Sequence, residues 1–260
     1  MHMPHEVAAP ANWQRIDFIS DLHLADDTPC CFESWRDFML ATTADAVFIL
    51  GDLFEAWVGD DSRFEGFEAR CAAVLTEASA RRKLFFMVGN RDFLLGPEML
   101  KACGVEGLPD PTVLTAFGQR ALLTHGDAWC LGDRSYQRFR NEVRNPLWQA
   151  QVLSRPLAER RSMARALRSE SERAFAEHRG EWFDVDKPTA LRTMLDSNAL
   201  LLVHGHTHRP ASELLTPAGT RHVLSDWALD HGKVPRAEIM RWQNGNWTRL
   251  APCDAVVASC

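Results

Sequence analysis

A chain of 260 residues suits one ordinary domain with room for an insertion, and 46% hydrophobic with 25% charged residues is the balance of a soluble globular protein. A net charge of −6 excludes a whole-surface nucleic-acid binder, though not a local basic patch. No apolar stretch approaches the ~20 residues of a membrane span, and the first dozen residues lack the pattern of a secretion signal. Seven scattered cysteines without a CxxC pair read as reduced thiols of the cytoplasm.

Short apolar runs, each ending in polar or glycine-rich text, predict strands at Ile16–Ser20, Ala46–Leu50, Leu84–Val88, Ala121–Thr124, Leu200–Val203 and His222–Leu224. Helical patterns at Cys31–Thr42 and Glu65–Ala80 lie between the early strands, which implies an α/β sheet with helices packed on it. From Asp133 to Arg179 the text changes. Eleven arginines stand against six acidic residues, a net +5, and apolar residues recur at helical spacing in Phe139, Val143 and Leu147, then Met163 and Leu167. Phe139, Val143 and Leu147 read first as packing residues. Pro146 and Pro156 should divide the stretch into separate helices. Near the end, Asn244-Gly245 between Ala237–Trp242 and Asn246–Leu250 predicts a type I′ hairpin that finishes the sheet.

The chemistry sits at the strand ends. Asp21-Leu22-His23 follows the first strand, Gly51-Asp52 the second, Gly89-Asn90-Arg91-Asp92 the third, His125-Gly126-Asp127 the fourth, and His204-Gly205-His206-Thr207-His208 the fifth. In α/β sheets ligands bind at the carboxyl ends of strands, so five strands deliver carboxylate, imidazole and amide groups to one rim. Each element alone has an ordinary reading as a cap, a turn or a surface histidine. All five in order form a pattern of far greater specificity. Mixed carboxylate and imidazole donors without cysteine suit divalent Mn, Fe, Co or Zn, and two such ions can clamp a phosphoryl group and activate water. The metal set is then Asp21, His23, Asp52, Asn90, His125, His206 and His208, with Asp52 able to bridge.

From Ile16 to Arg209 this order of motifs resembles the calcineurin-like metallophosphoesterases. The resemblance implies a mixed α/β (α+β) fold, a β-sandwich flanked by helices. It makes residues 1–260 a single domain, with a helical cap inserted at about 133–182. It also implies two metal ions. Asp21, His23, Asp52 and His208 would hold one, and Asp52, Asn90, His125 and His206 the other, with Asp52, Asn90 and His125 catalytic. One position departs from the pattern. Many members carry a histidine after the Gly-Asn pair that assists leaving-group protonation, and here Arg91 stands there. A guanidinium is no ordinary general acid but grips phosphate well, which favours a phosphate leaving group over an alkoxide.

Longer strings narrow the resemblance. Leu50–Trp57 with Gly59-Asp60-Asp61, Gly89–Gly96 and His204–Pro210 are similar to the UDP-2,3-diacylglucosamine pyrophosphatases of lipid A biosynthesis. That group implies Mn²⁺, two ions per chain, and cleavage of UDP-2,3-diacylglucosamine to UMP and 2,3-diacylglucosamine 1-phosphate by water attacking the α-phosphorus. It implies a peripheral place on the cytoplasmic face of the bacterial inner membrane, with no nucleic acid and no protein partner. Asn90, Arg91, Asp133, Ser171 and His206 would touch substrate. On the cap the group carries an Asn and a Lys where an ungapped reading gives Phe175 and His178. Trp57, Phe93 and Trp148 are candidates for an acyl groove or, equally, for the core. Three rival readings remain. Another phosphoesterase of the same fold would turn over substrates without acyl chains. A nuclease would need a broad phosphate-tracking surface that the acidic balance does not offer. A non-catalytic scaffold would have lost metal ligands, whereas this chain retains all seven candidates.

Overall fold

The computed structural model describes residues 4–177, 183–231 and 234–256. Its strands are β1 (His5–Ala8), β2 (Arg15–Ile19), β3 (Ala46–Leu50), β4 (Lys83–Met87), β5 (Glu106–Leu108), β6 (Thr112–Ala116), β7 (Gln119–Thr124), β8 (Leu201–His204), β9 (Ala211–Leu214), β10 (Thr220–Val223), β11 (Ile239–Gln243) and β12 (Asn246–Leu250). The helices are α1 (Pro29–Ala41), α2 (Gly66–Ser79), α3 (Pro97–Ala102), α4 (Arg134–Val143), α5 (Pro146–Leu153), α6 (Leu157–Glu177) and α7 (Lys187–Asp196).

The strands form two six-stranded sheets rather than the one that strand–helix alternation implied. One runs β12-β11-β2-β3-β4-β5, with β2 to β5 parallel, and the other runs β1-β6-β7-β8-β10-β9. Period-2 alternation explains the arrangement. Ile16, Phe18, Ala46, Phe48, Leu50, Phe85 and Met87 face across to Leu114, Ala121, Leu123 and Val203 of the second sheet. Their alternates Ile19, Val47, Ile49, Leu84 and Phe86 face outward onto Trp35, Phe38 and Met39 of α1 and Cys71 and Leu75 of α2. On the far side, Val113, Leu122 and Leu202 pack under Ala190 and Met194 of α7. β3 is buried along its whole length because both its faces are covered.

The terminal hairpin forms as expected, with Asn244 at φ 49° and Gly245 at φ 83° meeting the left-handed requirement of its turn. Pro146 opens α5 and Pro156 immediately precedes α6, so the prolines divide the insertion into three helices. Packing along it differs from expectation: Val143 is buried, but Phe139 is half-buried and Leu147 is 81% exposed.

Candidate metal centre

The parallel strands β2, β3 and β4 of one sheet and β7 and β8 of the other all end at the same edge of the sandwich. The chain turns sharply there. Asp21, His23, Asp52, His206 and His208 all take positive φ, between 50° and 66°. Non-glycine residues hold this region at a cost that the surroundings must offset, and such residues concentrate at functional sites. Gly51, at φ 88°, has no room for a side chain, since a Cβ would meet His125 Nδ1 at 2.5 Å and Gly89 Cα at 2.7 Å.

Backbone bonds lock the turns together. Asp21 N–H donates to Gly51 O (3.1 Å), and Leu22 and His23 donate to Asp52 O (2.9 and 3.1 Å). Across the sheets, His206 N–H donates to Asp21 Oδ2 at 2.9 Å. Asp92 accepts from Gly89 N at 2.7 Å and Leu53 N at 2.8 Å, pinning the loop after β4 to the loop after β3. Burial, with the Asp52 carboxylate nearby, pushes the Asp92 carboxyl up to about 7.

The seven predicted ligands all reach this edge. Asp21, His23 and His208 offer ligand atoms within 4.8 Å of one another, as do Asp21, Asp52 and His125. Asn90 Oδ1 lies 3.0 Å from His125 Nε2 and 2.8 Å from His206 Nδ1. Asp21 is thus common to both carboxylate–imidazole groups, while Asp52 Oδ2 stands 3.7 Å from His125 Nε2.

The proton positions show what these atoms lack. His125 Nδ1 meets the Leu50 carbonyl at 2.8 Å, and a carbonyl only accepts, so Nδ1 carries the proton. In the neutral ring the Nε2 lone pair then faces the Asn90 oxygen with nothing between them. His23 Nδ1 faces the Glu55 carboxylate at 3.0 Å, and its Nε2 faces His208 Nε2 at 3.3 Å, where a proton or a cation can sit between the rings. The opposed lone pairs of His125 Nε2 and Asn90 Oδ1 at 3.0 Å call for a shared positive charge, a proton or a cation. Fully buried His125 shows the same demand. Burial disfavours its imidazolium, yet the carboxylates of Asp52, Asp21 and Asp127 outweigh that and push it up to about 9. His206 moves the other way, held down to about 4 by burial and by His125. The donor set fits divalent cations.

Above this edge lies the cap of α4, α5 and α6. Buried Asp127 accepts from Tyr136 Oη at 2.6 Å and Arg140 Nε at 2.8 Å, and Arg144 donates to Gly89 O at 2.8 Å. Arg160, only 4% exposed, pairs with Asp61 and reaches Val58 O, anchoring α6. Between cap and body is a cavity of about 780 Å³. Asn90, Arg91 and Asp133 line its polar end, while Trp57, Phe93, Trp148, Val152, Met163 and Leu167 make its apolar walls.

The calcineurin-like phosphoesterase family matches residues 14–210. The chain belongs to this family. Within it, proteins named UDP-2,3-diacylglucosamine hydrolase share much of its sequence. The one from Chromobacterium violaceum is 46% identical over 217 residues, 82% of this chain and 90% of its own. That from Xanthomonas oryzae pv. oryzae is 41% identical over 233 residues, 85% of this chain and 94% of its own. A third, from Bordetella pertussis, is 41% identical over 84% of this chain and 87% of its own. Among solved structures, a predicted phosphoesterase from Streptococcus pneumoniae aligns over 95% of this chain and 94% of its own, at 13% identity and TM-score 0.43, too distant to add to the assignment.

As a calcineurin-like phosphoesterase the chain is a metal-dependent hydrolase with a mixed α/β fold. Its remaining predicted site residues are placed unevenly. Arg91 lines the cavity beside Asn90, its N–H donating to Asp52 Oδ1 at 2.8 Å. Asp133 also lines the cavity, but its Oδ1 caps α4 by accepting from Tyr136 N at 2.9 Å. Ser171 and Phe175 fall in α6 where the backbone alone is described, and His178 lies outside the described residues. Sequence reasoning missed Glu55 and Tyr136, and saw Asp127 only as a motif letter. Asp127 had a signal, since it directly follows the His-Gly pair. Tyr136 had one too, as the only tyrosine of the chain.

Proposed function

We propose that this phosphoesterase hydrolyses the pyrophosphate bond of UDP-2,3-diacylglucosamine, releasing UMP and 2,3-diacylglucosamine 1-phosphate. The observation that carries the reading is the cavity of about 780 Å³, because Asn90 and Arg91 of the phosphoesterase edge line it together with basic residues and the apolar Trp57, Phe93, Trp148, Val152, Met163 and Leu167. A soluble phosphodiester needs no such chamber, whereas a diacylated sugar nucleotide presents a charged pyrophosphate with two hydrocarbon tails. The names of the relatives agree with this substrate.

Two Mn²⁺ ions, one held by Asp21, His23, Asp52 and His208 and the other by Asp52, Asn90, His125 and His206, would supply Lewis acidity and water of lowered pKa. The protein does the rest. Leu50 O fixes the tautomer of His125, the Glu55 carboxylate faces His23 Nδ1 at 3.0 Å, and Asp92 holds the two loops bearing Asp52 and Asn90 at a fixed separation. Arg91 reaches the polar end of the cavity with a buried Nε that has no hydrogen-bond acceptor, a vacant donor suited to a phosphate oxygen. In-line attack at the phosphorus next to uridine expels the sugar phosphate, a leaving group stable without protonation. This matches a guanidinium where a general acid would otherwise stand. Exposed Leu131, Leu147 and Leu153 on the cap, interspersed with exposed Arg134, Arg138 and Arg155, support a peripheral seat on the anionic cytoplasmic face of the inner membrane. No described helix is long and apolar enough to cross a membrane.

The test compares substrates at equal Mn²⁺. Turnover of UDP-2,3-diacylglucosamine should exceed that of UDP-N-acetylglucosamine by at least about a hundredfold in kcat/KM, the equivalent of burying a few methylenes of each tail. Equal turnover of the two would remove the acyl chamber from the reading and leave a phosphoesterase of soluble nucleotides.

A further inference from the structure

Beside the metal edge sits a carboxylate that no motif singled out. Glu55 lies in the loop after β3, where its N–H donates to Leu24 O at 3.1 Å, and its side chain is only 16% exposed. Oε2 stands 3.0 Å from His23 Nδ1, close enough for strong pairing although the ring N–H is not well aligned. Oε1 stands 3.4 Å from both Arg91 Nη1 and Arg168 Nε. Three cationic or proton-bearing partners therefore converge on one side chain. They come from the loop after β2, the loop after β4 and the far part of cap helix α6.

We propose that Glu55 is a positioning residue that couples the seating of α6 to the geometry in which His23 holds metal. The inference rests on the metal reading above and extends it to the cap. A carboxylate whose two oxygens are divided in this way cannot move for one partner without disturbing the others. If α6 lifts, Arg168 leaves Oε1, and the remaining pull of Arg91 and His23 resets the carboxylate. If His23 Nε2 binds a cation, its Nδ1–H becomes a stronger donor, draws Oε2 and fixes Oε1 toward the two arginines. By linkage the effect is reciprocal: metal favours the seated cap, and the seated cap favours metal. Carboxylate–histidine–metal relays of this kind set ring orientation and metal affinity together.

Two measurements on the full chain test this. Titration calorimetry with Mn²⁺ should show Glu55→Gln binding about 10–100-fold more weakly than the wild type. Hydrogen exchange with and without Mn²⁺ should show residues 157–169 of wild-type α6 protected by metal severalfold more than α7, which packs on the opposite face. That extra protection should vanish in Glu55→Gln and in Arg168→Gln. Wild-type Mn²⁺ affinity in Glu55→Gln, or undiminished protection of α6 in either variant, would overturn the inference. Arg168 lies on an exposed part of its helix, so Arg168→Gln carries the exchange test alone should Glu55→Gln fail to fold. A wild type that binds no Mn²⁺ overturns the metal reading and this coupling with it. A wild type that binds, beside an unaltered Glu55→Gln, overturns the coupling alone.

Discussion

His125 shows how a candidate metal ligand can be a stability determinant as well. Its Nδ1–H is committed to Leu50 O, its Nε2 points at Asn90, and carboxylates surround it on several sides. Replacing His125 or Asp52 by Ala should cut kcat/KM by more than about a hundredfold, since even indirect supports of a metal site cost 10–100-fold. Circular dichroism should stay unchanged, and activity within tenfold of wild type would remove that residue from the site. The pH dependence follows from the same contacts. In metal-free protein His125 is raised from an ordinary 6.5 to about 9, so its contribution is complete below 6.5 and is lost as pH climbs through 9. His208, also raised by Asp21 despite its burial, acts in the same direction. His206, held at about 4, acts between 4 and 6.5 with the opposite sign, and Asp92 is fully ionised soon above 7. Chelated protein should therefore lose melting temperature between pH 7 and 9, and excess Mn²⁺ should restore it by occupying the same charge-deficient position. A chelated protein equally stable at both pH values would contradict this electrostatic description. At this scale the sequence was legible for which candidate ligands meet at one edge, because Asp-x-His, Gly-Asp, Gly-Asn and His-x-His are local. It was silent on Glu55, whose role depends on where a side chain points across three loops.

Among elements, the strands carrying candidate ligands were the ones the text announced, since each is a short apolar run ending in polar or glycine-containing text. β1, β5, β6 and β9 escaped detection, three of them for physical reasons that the structure shows. β5 has three residues, and β1 and β9 are edge strands with largely exposed, mixed side chains that lack a buried face to set an apolar pattern. The insertion was legible as helical and basic, but which of its residues face the cavity was not. Phe139, Met163 and Leu167 turn toward the cavity and Leu147 to solvent, because the cap leaves a chamber where a continuous core would have gathered all of them. Trp148 and Phe93, with ring centroids 6.1 Å apart, meet across that chamber from cap and body. Trp148→Ala should raise KM for the diacylated substrate about tenfold, near 1.4 kcal/mol of lost apolar contact. It should leave kcat within a factor of two. A fall in kcat with KM unchanged would mean that Trp148 supports the chemistry instead of the tails.

For the whole molecule, strand–helix alternation suggested a single sheet, and the chain divides its strands between two. Alternation cannot reveal this, because a strand covered by a helix and a strand covered by another sheet both read as apolar on two faces. The decision is made by long-range pairing: β11 returns from the end of the chain to β2, and β8 joins β7 after the whole cap has intervened. That division serves the site, since Asp21, His23, Asp52 and Asn90 arrive from one sheet and His125, His206 and His208 from the other. The cap, tied down by Asp127 and Arg160, then roofs the edge with an apolar chamber. The proposed function has this edge cleave the anhydride of UDP-2,3-diacylglucosamine at the phosphorus nearest uridine. The direct measurement is hydrolysis by the Mn²⁺-loaded protein in ¹⁸O-water, with mass analysis of both products. One ¹⁸O in UMP and none in 2,3-diacylglucosamine 1-phosphate is the result predicted; label in the lipid phosphate, or no hydrolysis of this substrate, would contradict it.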